Sequence, residues 1–309
     1  MFTPPKSVLV YINTASNLKQ NALDHAVEIA RRYGSRLTLV DAVQTAPWYM
    51  VDVPGAIGDL ERVCVKAADE HLERFAETAI AQGITPDIKV LRGTEWMELL
   101  RELETGGYDL FIKTRMPGDT RGLGMIGSIG LRIMRKTTKP VLIVDPEDPP
   151  ALDHVAVTLN PDTGNEFSHK LLDYGMAFAK DSGARLSAVH AWHTPGESHF
   201  AARLPMDQYE TYLKSMRENA KAALDGFLAE RDNDLTKEQI HLVPGDPVDV
   251  VPAFVEKEQC DLLVIGTVGR SGLSGVLMGN TAESILRRVD CSILALKPDG
   301  FVCPIRFDS

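Results

Sequence analysis

The sequence writes one structural unit twice, and that repetition confines the chain to a duplicated fold. Ser7-Val8-Leu9-Val10-Tyr11-Ile12-Asn13 matches His154-Val155-Ala156-Val157-Thr158-Leu159-Asn160. The stretch from Gly34 to Ala42 matches that from Gly183 to Ala191. Gly93 then matches Gly245, Asp109-Leu110-Phe111-Ile112 matches Asp261-Leu262-Leu263-Val264, and Gly127-Ser128 matches Gly279-Asn280. Val141-Leu142-Ile143-Val144 matches Ile293-Leu294-Ala295-Leu296. The offset is 147 between Asn13 and Asn160 and 152 between Asp109 and Asp261, a drift of a few loop residues. So long a period is a domain duplication and not a solenoid. A length of 309 residues suits two domains.

Each half reads strand, helix, strand, long helix, strand, helix, strand, helix, strand. Strands are expected near 7–13, 36–43, 86–91, 109–113 and 141–145, then 154–160, 185–192, 239–243, 261–265 and 292–297. A helix from Ala22 to Tyr33 stops at Gly34. A long helix near 59–82 carries Leu60, Cys64, Ala68, Leu72, Phe75 and Ala79 at close to a 3.6 period. Its counterpart near 206–231 carries Tyr209, Leu213, Met216, Ala220, Ala223 and Phe227. Strands alternating with helices predict α/β architecture: two tandem doubly wound domains, each on a five-stranded parallel sheet with right-handed crossovers. The domains are expected at 1–146 and 154–298. A proline-rich, acidic linker, 147–153, joins them, and a tail, 299–309, follows.

A hydrophobic fraction of 44% and a charged fraction of 25% let each half bury a core. The net charge of −10 argues against a nucleic-acid partner. No apolar run is long enough for a membrane span, and the first residues lack a signal peptide's apolar centre. A cytoplasmic protein is expected. Cys64, Cys260, Cys291 and Cys303 form no CxxC pair and are read as reduced thiols, with Cys303 a candidate redox sensor in the tail.

Chemistry is expected at Gly266-Thr267-Val268-Gly269, nine further residues, and Gly279-Asn280-Thr281. The loop joins an apolar strand to a helix carrying Ala282, Ile285, Leu286 and Val289. Glycines there let main chain approach an anion, and the first helical N–H groups point outward. A glycine turn that only packs helix on sheet is the structural alternative.

This G-x2-G-x9-G-[N/S/T] spacing, with its flanking strands, resembles the ATP-binding loop of the universal stress protein family. The resemblance extends over nearly the whole chain, as in the tandem two-domain members. It implies that Asn160, Pro161, Val189, Gly266, Thr267, Gly269, Arg270, Gly279, Asn280 and Thr281 hold ATP or a related adenine nucleotide. The Val189 main chain would meet the adenine edge. Asp246, in Gly245-Asp246-Pro247, would reach a magnesium ion through the phosphates. It also implies that the two halves pair as a pseudo-dimer with their last strands meeting, and that the tail lies across the other half. A homodimer and a regulatory protein are further expected partners.

Two departures matter. Asn13 and Asn160 stand where the family usually has aspartate. In the first half, Thr114 and Pro117 replace Gly266 and Gly269, so that loop is read as having lost the nucleotide, although Arg115 and Arg121 remain for another anion. Gly122-Leu123-Gly124-Met125-Ile126-Gly127 spells GxGxxG but follows a fourth strand, not a first. His190, His193 and His199 have spacing for a metal, or simply form a polar strand end and loop.

The expected function is a stress-response protein that binds ATP in its second half with little or no catalysis. Slow hydrolysis or phosphate transfer to Ser271, Ser274 or Thr281 is the upper bound. The alternative is a scaffold or carrier for another small, apolar ligand, with loops 46–51 and 199–204 at its rim. An adenylate-forming enzyme is disfavoured because no S-G-G-x-D-S loop follows either first strand.

Overall fold

A computed structural model of the chain describes residues 2–15, 21–45, 57–116, 127–161, 165–194, 202–268 and 278–307. Its strands are β1 Ser7–Tyr11, β2 Arg36–Val43, β3 Asp87–Arg92, β4 Leu110–Thr114, β5 Val141–Val144, β6 His154–Thr158, β7 Arg185–Trp192, β8 Ile240–Pro244, β9 Leu262–Gly266 and β10 Ser292–Leu296. Its helices are α1 Ala22–Tyr33, α2 Ile57–Ala81, α3 Glu95–Thr105, α4 Gly127–Lys136, α5 Asn165–Ser182, α6 Met206–Ala229, α7 Pro247–Lys257 and α8 Asn280–Leu286. The element order is the one that the duplicated pattern predicts.

Contacts divide the chain into two compact units. The first holds residues 3–151 and those from Ser292 onward. Its strands run β3-β2-β1-β4-β5, all parallel, and β10 lies antiparallel along β5 with Leu294 opposite Leu142. The second holds Phe2, residues 152–268 and residues 279–291, with β9-β6-β7-β8 parallel. β1, β4, β5 and β10 are buried along their whole length, as near-continuous apolar runs in a covered parallel sheet should be.

The repeat has a mechanical basis at one aspartate per half. Asp109 accepts from the N–H groups of Lys6 and Ser7 at 2.8 and 3.1 Å, and Asp261 accepts from Asp153 and His154 at 2.7 Å each. Each carboxylate thus satisfies the backbone where the first strand of its half begins.

The two chain ends belong to different units. Phe2 packs edge-on against Tyr174, with ring centroids 5.0 Å apart, and lies 6.2 Å from Phe178, both on α5. The tail lies on the first unit, where the Arg101 guanidinium sits 5.6 Å from the centre of the Phe307 ring. The linker is less free than its composition implies. Asp148 accepts from the Ser292 N–H at 3.0 Å and hydroxyl at 2.7 Å, and Leu152 is buried.

The long helices depart from expectation at their amino ends. In α2, Ala68, Leu72 and Ala79 are buried, but Leu60 is 62% exposed and Cys64 is exposed. In α6 only Leu224 and Phe227 are buried, while Tyr209, Leu213 and Met216 are half-covered. Periodicity identifies the inward face of a helix but not how far the sheet beneath it extends.

Candidate functional site

The second unit brings the predicted loop ends together. β9 runs through Gly266, and the Gly279 N–H donates to the Thr267 carbonyl at 2.9 Å, which sets the start of α8 against the end of β9. Gly279 is the N-cap, with no side chain to satisfy the helix, and the first intrahelical bond is Glu283 N–H to the Gly279 carbonyl at 2.9 Å. The N–H groups of Asn280, Thr281 and Ala282 therefore lie in the first turn, ahead of any intrahelical acceptor. Asn280 and Thr281 have exposed side chains, whereas Thr267 is buried. Gly269, Arg270, Ser271 and Ser274 lie outside the described residues.

Three assignments change. Gly266 is the last residue of β9 and not part of the turn, and a Cβ there would come within 2.6 Å of the Phe167 ring. Its glycine serves the approach of α5. Val189 lies inside β7, 2% exposed, and its carbonyl accepts from the Leu159 N–H at 2.8 Å. Ala191 and Trp192 carry that strand beyond its last register partner on β6, Thr158, while still pairing with β8. Asp246 caps α7, its carboxylate accepting from the Val248 N–H at 2.8 Å, with Pro247 in the first turn. The preceding Gly245 has φ +130°, and its N–H donates to the Trp192 carbonyl at 2.8 Å.

Asn160 is held through its main chain: its carbonyl accepts from the Ser168 hydroxyl at 2.8 Å. Pro161 follows, half-buried. His190 is buried, with Nδ1 at 3.0 Å from the Leu159 carbonyl, His193 is exposed, and His199 lies outside the described residues. Among the described residues no three His, Cys, Asp or Glu side chains gather as a metal site.

The matching edge of the first unit is filled differently. Tyr11 hydrogen-bonds Glu95, and the Thr14 hydroxyl donates to Asp41, which also accepts from the Ala42 N–H at 2.7 Å. Burial raises the carboxyl pKa of Asp41 and of Glu95, and raises the Tyr11 phenol as well. Lys113 is buried, donates to the Thr114 carbonyl at 2.6 Å, and is pushed down to about 8 by burial and by Arg115. Arg115 has no side-chain exposure and stands 3.7 Å from Asp145. Thr114 accepts from the Ala22 N–H at 3.1 Å. Neither Thr114 nor Arg115 is free for an anion, while Pro117 and Arg121 lie outside the described residues. This cluster was not read from the sequence, because its members come from four separate elements.

Through the repeat, Tyr11 corresponds to Thr158, Asp41 to His190, Glu95 to Pro247, Lys113 to Ile265, Thr114 to Gly266 and Arg115 to Thr267. The carboxylates, ammonium and guanidinium of the first cluster, at Asp41, Glu95, Lys113 and Arg115, thus give way to His190, Pro247, Ile265 and Thr267, none of which carries any of those groups.

The model of the universal stress protein family matches residues 5–145 and again 155–297. The chain belongs to the universal stress protein family. It is a tandem member, 25% identical to universal stress protein E of Photorhabdus laumondii over 97% of this chain and 98% of that one. The same protein of Escherichia coli K12 is 24% identical over 94% and 93%. Among solved structures, a protein of unknown function from Pseudomonas aeruginosa PAO1 superposes with a TM-score of 0.71 at 22% identity, covering 96% of this chain and 93% of that one. A universal stress protein from Archaeoglobus fulgidus gives 0.66 at 17%, covering 96% and 99%. These last two bear on the fold alone. Among the described residues no helix of this family member is long and apolar enough to cross a membrane.

Proposed function

We propose that this universal stress protein binds an adenine nucleotide, ATP in the first instance, in its second half only, and acts through occupancy, with little or no turnover. The observation that carries the reading is the contrast between the two copies of one crevice. In the first, Lys113, Arg115, Asp41 and Glu95 fill it with mutually interacting side chains. In the second, Ile265, Thr267, His190 and Pro247 stand in their places, and a glycine-capped helix start faces the end of β9. Main-chain N–H groups at such a start favour phosphate oxygens.

Asn280, Thr281 and the loop before them would hold the phosphates, with Asn160 and Pro161 at the ribose side. The adenine edge would meet the main chain of Ala191, since that of Val189 is engaged inside the sheet. Asp246 serves as a helix cap, so any magnesium ion would be held chiefly by the phosphates. The pairing of the halves through their last strands, a second copy of the chain, a regulatory protein partner and a cytoplasmic setting belong to the same reading.

Titrating the protein with ATP tests it. Gly266→Val is a poor probe, because it strikes Phe167. Thr281→Asp is better: a carboxylate in the first turn of a helix favours the fold yet repels phosphate. Affinity for ATP should fall by about tenfold or more in Thr281→Asp and stay unchanged in the first-half control Ser128→Asp. Absence of saturable binding in the wild type, or equal loss in both variants, would overturn the reading in favour of a carrier for another small molecule.

A further inference from the structure

The second unit contains a cavity that borders the adenine side of the nucleotide reading at Trp192, next to Ala191, and takes no part in its phosphate contacts. It has a volume of about 310 Å³ and lies where β7 and β8 end, beneath the amino-terminal half of α6. Its walls include Trp192 and His193 from the end of β7, Pro244 and Gly245 from the end of β8, and Lys214 and Arg217 from α6. None belongs to the loop between β9 and α8.

Three observations bear on what it takes. The apolar stripe of α6 is only half-covered at Tyr209, Leu213 and Met216, while Leu224 and Phe227 further along are buried, so the helix stands off the sheet above the cavity. Lys214 and Arg217 sit one turn apart on that helix, and neither meets a carboxylate among the described residues, although Glu210 and Glu218 are on the same helix. The indole N–H of Trp192 is buried with no hydrogen-bond partner among the described residues. A buried donor left unsatisfied is unfavourable, and a ligand acceptor would relieve it. In a chain of net charge −10, two cations without acidic partners at one cavity select for an anion. Planar or apolar walls from Trp192, Pro244 and Leu213 select for a flat body.

We propose that this cavity is a binding site for a small planar aromatic carboxylate. The ring lies against Trp192 and Pro244, and the acid group is held by Lys214, Arg217 and the Trp192 N–H. The site is separate from the nucleotide loop and stands whether or not ATP binds.

Isothermal titration of the full chain with cinnamate, cinnamamide and inorganic phosphate is the test. Saturable one-to-one binding of cinnamate is expected, with cinnamamide weaker by about tenfold or more and phosphate weaker still. Lys214→Ala with Arg217→Ala, both exposed and so compatible with folding, should weaken cinnamate by about tenfold while leaving the ATP isotherm unchanged. Trp192→Phe keeps an aromatic plane, removes the N–H, and should weaken cinnamate severalfold. Four outcomes would overturn the proposal: no cinnamate binding at millimolar concentration, equal binding of acid and amide, indifference to the double variant, or loss of cinnamate binding in Thr281→Asp. The last would make the cavity one end of the nucleotide site.

Discussion

Phe167 lies so close to Gly266 that a Cβ at position 266 would stand 2.6 Å from its ring. The glycine of the family loop is therefore held in place by packing between α5 and β9 before any ligand is considered. Gly266→Val should destabilise the second unit by about 1–3 kcal/mol, read as a lower urea midpoint. Adding Phe167→Leu should recover part of that loss. A Gly266→Val protein of wild-type stability would mean that the ring moves aside freely.

The carboxylates of Asp109 and Asp261 each bridge two main-chain N–H groups at the start of the first strand of their half. Hydrogen bonds to a charged group contribute about 1.5–3 kcal/mol, less here because these sit at the surface. Asp109→Ala and Asp261→Ala should each lower stability by about 1–2 kcal/mol. The two losses should add, since each aspartate serves its own half. Hydrogen exchange at residues 7 and 154 gives a local check: each variant should raise exchange only in its own half.

Lys113 gives a pH dependence of known sign. Its folded pKa, about 8, lies below the unfolded value near 10.4. Between these values the native state has lost the proton that the unfolded state still binds, so this residue makes stability rise with pH, by up to about 1.4 kcal/mol per unit. Below pH 8 the contribution is absent and the buried charge is a cost. Denaturation at pH 7.5 and 10 should show wild type gaining stability relative to Lys113→Met. Parallel pH curves for the two would show that the Lys113 ammonium is not desolvated in the fold.

Raised carboxyl pKa values at Asp41 and Glu95 act in the opposite pH range. Here the native state binds protons more tightly than the unfolded state, so stability falls as pH rises from about 4 through the folded values. Asp41→Asn with Glu95→Gln should flatten that fall, as followed by the thermal midpoint between pH 4 and 7.

Cys303 is half-buried and burial raises its thiol pKa, which makes it a poor redox sensor, while the buried Cys260 is pushed up to about 12. Exposed Cys64 should react first with a maleimide, and Cys260 should be silent until the chain unfolds.

The strand and helix order was legible because each strand is a short apolar run and each half repeats it. The end of β9 at Gly266 and the start of α8 at Asn280 were legible for the same reason, since the apolar strand and the helix spacing mark them. Val189 was misplaced because a buried run such as Leu186 to His190 does not mark where its pairing ends; the bond from Leu159 does. Leu60 and Cys64 were assigned to the core because α2 keeps its period beyond the sheet that covers it. The Tyr11, Asp41, Glu95 and Lys113 cluster had no local pattern at all. Its members meet only after four elements have assembled.

Because β10 completes the unit that begins with β1, the earliest part of this polypeptide waits for the latest. A ribosome must release nearly the entire message's product before β5 gains its antiparallel neighbour. Until then that strand presents unpaired main-chain groups to the cell, an invitation to stray pairing. Synthesis cut short before Ser292 should yield a first half prone to clumping, whereas supplying the missing stretch as a separate peptide should quieten it.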